Sequence, residues 1–101
     1  MNKESILNWF KNVEHNGFEY NNLLLNYDME IWTQNLDENI IIELHFKKNT
    51  EKQFGSYYIN LTDIYNYEEL TDKVYKYQND FADLGFDRFV EKYKNIIIGL
   101  D

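Results

Sequence analysis

Hydrophobic residues near the start of the chain recur with helical spacing. Ile6, Phe10 and Val13 follow one another at steps of four and three residues, so a helix over residues 2–16 would carry them on one face. Gly17 comes directly after this segment and can adopt the left-handed conformation that often ends a helix. The pattern predicts an amphipathic helix at the start of the chain.

Between residues 18 and 61 the hydrophobic period changes to two. The clearest example is the segment 40–47, where isoleucine, leucine and phenylalanine occupy the even positions while Glu43 and His45 occupy odd ones. Such alternation predicts a strand in an antiparallel sheet that has one buried face and one wetter face. We therefore expect His45 on the surface of the sheet.

Two further strands are expected on either side of this one. Residues 29–34 would form a hairpin with the segment 40–47, because the sequence 36–39 contains Asp and Asn, which tolerate turn geometry. Residues 56–61 alternate again and follow a polar loop. The segment 20–27 contains three consecutive leucines and could be an additional buried strand or an irregular crossing segment.

The last forty residues return to helical spacing. A helix is predicted from about Asn66, which resembles a capping residue, to Gly85, and a second from about residue 87 to residue 98. The apolar seam of the first consists of Leu70, Val74, Tyr77, Phe81 and Leu84. The fold class is therefore α+β: one domain over residues 1–101, with an antiparallel three- to four-stranded sheet flanked by an N-terminal helix and two C-terminal helices.

Composition excludes several classes of protein. The chain has 101 residues and no cysteine, which rules out a disulfide scaffold, a thiolate zinc site and a cysteine nucleophile. Its longest aliphatic runs have three residues, far short of the ~18 that a membrane span requires. The abundance of Asn, Ile, Lys and Tyr is typical of AT-rich genomes. We expect a soluble protein in the cytoplasm of a bacterial host cell.

No catalytic residue, metal site or cofactor is expected. His15 and His45 are thirty residues apart and lack the spacing that directs two imidazoles at one metal. The four glycines stand alone, so no phosphate-binding loop is recognisable. The remaining possibility of this kind is a small enzyme or ligand binder that uses a pocket between sheet and helices.

The acidic residues are distributed unevenly along the chain. The formal net charge is −8, and residues 12–46 contain seven acids without a single Lys or Arg. Like charges repel, so a field of one sign points to a basic partner rather than to folding. A second acidic strip is predicted on the solvent-facing side of the long helix. The candidate acidic contacts are Glu30, Asp37, Glu38 and Glu43 in the sheet and Glu69, Asp72, Asp80 and Asp83 on the helix.

Aromatic residues are interleaved with these acids. Tyr and Trp are frequent anchors of protein interfaces, which makes Trp32, Tyr58, Tyr65 and Tyr67 candidate contacts with the same partner. The alternative is that they fill the core of a small domain. For Trp32 both interpretations remain open, because its strand parity is ambiguous.

A short, cysteine-free, strongly acidic domain with this α–β–α order resembles the anti-CRISPR proteins of phages and mobile elements, some of which block a Cas nuclease by imitating DNA. The resemblance covers the whole chain in size, charge and element order, and it matches no motif, so no binding residue is carried over. The basic stretch of residues 47–52 departs from a pure phosphate mimic. Acidic nuclease-immunity proteins look similar on the same grounds.

The expected function is therefore non-enzymatic. We expect an inhibitor that binds a basic nucleic-acid-handling protein, such as a CRISPR nuclease, through an acidic surface, and that does not itself bind nucleic acid. An immunity protein that neutralises a nuclease toxin is the alternative within the same class. Both would use carboxylates against a cleft that normally holds phosphates.

Overall fold

A computed structural model describes residues 1–64 and 66–100 of the chain. It contains two helices and five strands in the order α1, β1, β2, β3, β4, α2, β5. Their bounds are Lys3–His15 for α1, Asn21–Asn26 for β1, Met29–Leu36 for β2, Asn39–Phe46 for β3, Tyr57–Asn60 for β4, Tyr67–Tyr93 for α2 and Ile97–Ile98 for β5. The α+β class is confirmed, while the numbers of helices and strands differ from expectation.

The N-terminal helix is confirmed. Asn2 caps α1, since its side chain accepts a hydrogen bond of 2.9 Å from the Ser5 backbone N–H. The helix buries the three residues predicted to face inward, Ile6, Phe10 and Val13. These side chains join the core between the helices and the sheet.

All strands pair with their sequence neighbours in an antiparallel meander. The predicted hairpin is present, with β2 and β3 paired from Met29 opposite Phe46 to Leu36 opposite Asn39. Asp37 and Glu38 form its two-residue turn, and both have positive φ, 51° and 68°. Positive φ at both positions is typical of the tight turn whose twist matches that of the two strands.

Two strands were not assigned from the sequence alone. The ambiguous segment 20–27 contains the edge strand β1, and Ile97–Ile98 form β5 where a helix end was expected. Gly99 allows this last pairing, because its φ is 103° and a side chain there would overlap the Ser56 carbonyl oxygen. The prediction of a helix up to residue 98 was wrong, since this close approach to β4 is a long-range contact.

The C-terminal helices form one element with a break. α2 runs from Tyr67 to Tyr93 and contains a single non-helical residue, Gly85, with φ 76° and ψ 174°. That conformation is essentially restricted to glycine, so Gly85 kinks the helix where the sequence predicted a stop. Asn66 caps α2 as expected, since its side chain accepts hydrogen bonds from the backbone N–H groups of Glu68 and Glu69.

Both helices cover the same face of the sheet, which we call the inner face. Phe46 lies at its centre, with its ring 5.9 Å from that of Phe81 and 5.2 Å from that of Phe89. The alternation predicted for β3 is confirmed, since Ile42, Leu44 and Phe46 are buried in this core. The opposite face, which we call the outer face, has no helix packed against it among the described residues.

The hairpin turn offers a direct test of the fold. Glu38→Gly should stabilise the protein by about 0.5–1 kcal/mol, because glycine adopts φ 68° without the steric cost of a side chain. The melting temperature should rise by roughly 2–6 °C in a thermal melt followed by circular dichroism. Glu38→Val is the matched control, since it removes the same charge but places a β-branched residue at positive φ. It should lower the melting temperature, and an increase with both variants would contradict this turn.

Candidate functional site

The outer face of the sheet carries a row of three stacked rings. The Trp32 and His45 rings are stacked with their centroids 3.7 Å apart, and the His45 and Tyr58 rings are stacked at 4.9 Å. We call these three residues the aromatic stack. It crosses β2, β3 and β4, so it lies in the middle of the sheet rather than at an edge.

Strand register brings these rings together. His45 pairs directly with Tyr58 on one side and with Glu30 on the other, while Trp32 pairs with Glu43. Trp32 and His45 are thus diagonal neighbours on one face, within reach of each other because aromatic side chains are long. Whether Trp32 faces the core or a partner was left open by the sequence. Its position in β2 places it on the outer face, where it is half-buried.

His45 is buried between its two ring neighbours, Trp32 and Tyr58. His45 is only 2% exposed, so the expectation of an exposed histidine on the sheet surface was wrong. The loop from Lys47 to Ser56 approaches Trp32 near its end, since a Cβ atom at Gly55 would lie 3.7 Å from Cη2 of Trp32. Lys47 helps to hold the start of the loop, since its Nζ donates to Asp28 Oδ1 at 3.1 Å.

Burial keeps His45 uncharged. Loss of solvent lowers the pKa of His45 below its ordinary value of 6.5, and this outweighs the opposing effects of Glu43 and Glu30. Its Nε2 lies 3.0 Å from Glu43 Oε1. A carboxylate only accepts hydrogen bonds, so Nε2 carries the proton and Nδ1 is left as an acceptor. Nδ1 of His45 and Nε1 of Trp32 are buried and have no hydrogen-bond partner within the described chain.

Two carboxylates flank the aromatic stack on the outer face. We call Glu30 and Glu43 the acidic pair; both are half-buried. Neither forms an ion pair with a Lys or Arg in the part of the chain that the structure describes. Because His45 is neutral, it does not compensate them either. The acidic pair therefore lies beside aromatic rings without a cation of the described chain.

The other two acids predicted for the sheet lie elsewhere. Asp37 and Glu38 occupy the β2–β3 turn and are exposed. Glu38 is five residues from Glu43, which corresponds to about 17 Å along a strand. The structure thus divides the predicted sheet acids into an acidic pair on the outer face and a separate acidic turn at the end of the hairpin.

The predicted acidic strip on α2 is interrupted by ion pairs. Asp72 lies 3.2 Å from Lys3 of α1, and Asp80 lies 3.1 Å from Lys92. Tyr93 also donates to Asp80, and this hydrogen bond, followed by that of Lys92, lowers the pKa of the Asp80 carboxyl. The expectation that Asp80 faces only solvent or a partner was wrong, because the kink at Gly85 brings the end of α2 against it.

Two of the strip residues remain exposed without an ion pair among the described residues, namely Glu69 and Asp83. They project from the helix layer, which covers the inner face. The strip therefore lies on the opposite side of the molecule from the acidic pair. One flat partner cannot contact both sets at once.

The remaining aromatic candidates do not join the stack. Tyr67 packs against Phe10 and Phe18, with ring centroids 6.5 Å and 6.3 Å apart. Burial, with a hydrogen bond to Glu14, raises the pKa of Tyr67 to about 12. Tyr67 is thus part of the contact between α1 and α2 rather than of the outer face. Tyr65 lies outside the described residues.

Sequence reasoning missed the apolar ends of the outer face. One rung of the sheet runs from Leu24 through Glu30, His45 and Tyr58 to Ile98. Leu24 is 52% exposed and Ile98 is 44% exposed. The alternation in β3 already placed Glu43 and His45 on one side of the strand. The ends of the rung could not be predicted, because they depend on how β1 and β5 pair with their neighbours, and periodicity does not reveal strand pairing.

An open cavity of about 650 Å³ lies between the β1–β2 turn, the 47–56 loop and the kink in α2. Its lining includes the ring of Phe86 and the side chains of Asp28 and Lys47, which form an ion pair with each other.

Within residues 1–64 and 66–100, no group of three His, Asp or Glu side chains is placed to hold a metal ion. Neither described helix is both long and apolar enough to span a bilayer.

Comparisons with protein-family models, with curated proteins and with solved structures gave no match to this chain. The resemblance to anti-CRISPR proteins therefore stays a prediction. Function is therefore inferred from the side chains of the outer face.

The buried histidine predicts a pH dependence of stability. In the unfolded chain His45 takes up a proton near pH 6.5, whereas in the folded protein it does so only at lower pH. The unfolded state then binds more protons below pH 6.5, so stability should fall as the pH decreases. Between about pH 7.5 and 5.5 the loss is at most about 1.4 kcal/mol, the limit for one ordinary histidine.

His45→Gln provides the comparison, since glutamine can donate to Glu43 but does not titrate. Urea unfolding at both pH values should show a smaller loss of stability for the variant than for the parent, which also corrects for the carboxylates common to both. Parallel losses in the two proteins would mean that His45 titrates normally in the folded state.

Proposed function

We propose that this protein is a non-enzymatic inhibitor that binds a basic, nucleic-acid-handling protein through the outer face of its sheet, in the manner of an anti-CRISPR protein that occupies a nuclease cleft. The observation that carries the proposal is the acidic pair. Glu30 and Glu43 are half-buried beside an aromatic stack and lack a cationic partner within the described residues.

Charge supports a basic partner. The chain has a formal net charge of −8, and most of the excess acid lies in the segment that contains β1, β2 and β3. A cleft that binds nucleic acid is lined with Lys and Arg, so a negative surface is attracted to it at long range. Attraction of this kind raises the association rate more than it raises the affinity.

Aromatic and apolar residues supply the short-range part of the contact. Trp32 and Tyr58 are half-buried on the outer face, and Leu24 and Ile98 are exposed at the two ends of the central rung. Trp and Tyr are enriched among residues that dominate binding energy, especially when they are surrounded by contacts that exclude water. The outer face combines such anchors with negative charge, whereas the helix strip has charge alone.

The proposal is tested by neutralising each acidic set separately. The sheet variant Glu30→Gln with Glu43→Gln removes two charges and retains a side-chain oxygen that can accept from His45. The helix variant Glu69→Gln with Asp83→Asn removes two charges from the opposite side and is the matched control. In assays of plasmid cleavage by Cas nucleases, the parent should inhibit, the sheet variant should lose at least about tenfold in potency, and the helix variant should match the parent.

Association rates at two salt concentrations distinguish long-range electrostatic attraction from short-range contacts. The parent should associate more slowly at high salt, and the sheet variant should show a weaker salt dependence. Circular dichroism melts establish that each variant is folded. If both variants are folded and inhibit as well as the parent, the outer face is not the binding surface.

The same charge predicts that the protein does not bind nucleic acid. Its net charge repels phosphates, and the single basic stretch, residues 47–52, also contains Glu51. A gel-shift titration with duplex DNA and with RNA should show no salt-sensitive complex at micromolar protein. Tight binding that weakens with salt would refute the assignment of the acidic field to a protein partner.

A further inference from the structure

The acidic pair and two rings of the aromatic stack, Trp32 and His45, form one block of four residues on β2 and β3. Glu30 pairs with His45 and Trp32 pairs with Glu43. The two carboxylates therefore occupy one diagonal of the block, and the two rings occupy the other. Diagonal positions in an antiparallel pair are about 7–8 Å apart, so the carboxylates stand on either side of the stacked rings.

The lack of a cation at this block contrasts with the rest of the chain. Asp28, Asp72 and Asp80 each lie within 3.2 Å of a lysine Nζ. Glu30 is half-buried, as Asp28 and Asp80 are, and has no such partner in the described chain. Lys47 is the next basic residue along β3, but its Nζ is engaged by Asp28 Oδ1 and by the Glu51 carbonyl oxygen.

Partial burial of unpaired carboxylates costs free energy, and a cation from outside the chain would offset that cost. The block also constrains the shape of the cation. The half-buried Trp32 favours a flat, weakly hydrated group, and carboxylates on two sides favour a group with several N–H donors directed outward in one plane.

We propose that the outer face binds an arginine side chain of the partner, with the guanidinium against the exposed part of the half-buried Trp32 and its N–H groups donating to Glu30 and Glu43. This inference rests on the proposed function, since it names the group of the basic partner that the acidic pair recognises. Lysine fits less well, because its ammonium is a compact, strongly hydrated point charge that makes no planar contact.

The apolar ends of the rung indicate which residues should flank that arginine in the partner's chain. Leu24 and Ile98 are exposed at opposite ends of the line through Glu30, His45 and Tyr58. A segment that crosses the sheet with its arginine over the centre would place flanking side chains against these two residues. The preferred occupant is therefore an arginine with apolar neighbours rather than a run of basic residues.

A peptide comparison tests the arginine preference directly. The probes are an acetylated, amidated pentapeptide with arginine at its central position and leucine at its first and fifth positions, which share one side of an extended chain, and the same peptide with lysine in place of arginine. The protein carries Trp9→Phe, so that the indole N–H resonance of Trp32 is the only one of its kind in a proton–nitrogen NMR spectrum. Titration of that resonance at low salt should give a dissociation constant about fivefold lower for the arginine peptide.

Four variants locate the preference. The fivefold difference should vanish with Glu30→Gln plus Glu43→Gln and should persist with Glu69→Gln plus Asp83→Asn, which changes the net charge equally. Trp32→Leu, followed by calorimetry in place of the indole resonance, should also abolish it. If the leucine variant is unstable, Trp32→Phe is used instead. It keeps an aromatic ring and should retain part of the difference in affinity between the two peptides.

The outcomes separate this inference from the proposed function. Equal affinity for the two peptides, lost in the sheet variant, would overturn the arginine preference while leaving the acidic surface as the binding site. Failure of both peptides to bind at low salt would overturn it as well, and the nuclease assay would decide the proposed function independently. A preference that persists in the sheet variant would place arginine recognition elsewhere on the protein.

Discussion

The pairing of β2 with β3 is the constraint on which both faces of the sheet depend. The two strands are paired over eight residues without a bulge, from Met29 opposite Phe46 to Leu36 opposite Asn39. Because side chains alternate along a strand, a slip of one residue would move Ile31 toward solvent and Trp32 into the core. The register that completes the hydrophobic core therefore also assembles the aromatic stack and the acidic pair.

Burial on the outer face has an electrostatic consequence. A histidine between two glutamates would ordinarily be protonated and would neutralise part of their charge. Here the rings of Trp32 and Tyr58 stack on His45, which is buried, and desolvation outweighs the attraction of the carboxylates. The histidine thus contributes a flat ring and a hydrogen bond to Glu43, but no positive charge. Packing is what leaves the outer face acidic.

The fold changes the interpretation of the two acidic tracts, because some of their acids are paired with lysines. Along the chain the acids form two tracts, but in the fold the lysines of α1 and α2 pair with Asp72 and Asp80. The same pairing ties the end of α2 back across the kink at Gly85. Asp72 and Asp80 therefore have a part in holding the helix layer together, whereas Glu30 and Glu43 have no ion pair with a Lys or Arg among the described residues.

Much of the architecture follows from local pattern. The spacing of Ile6, Phe10 and Val13 determined the first helix, and the alternation along residues 40–47 determined the strand and which of its residues face the core, because both periodicities are properties of adjacent backbone geometry. The net negative charge and the absence of cysteine chemistry are likewise matters of composition. None of these depends on a contact between distant residues.

Only the tertiary structure decided the rest. β5 exists because Gly99 approaches Ser56 closely, and His45 is buried because Trp32 and Tyr58 from the two neighbouring strands stack on its ring. Asp80 is paired because Gly85 turns the helix back on itself, and Tyr67 is taken up by the contact between helices rather than by the sheet surface. Periodicity tells which side of an element a residue occupies. What lies against that side is set by long-range packing, which local sequence does not encode in a readable form.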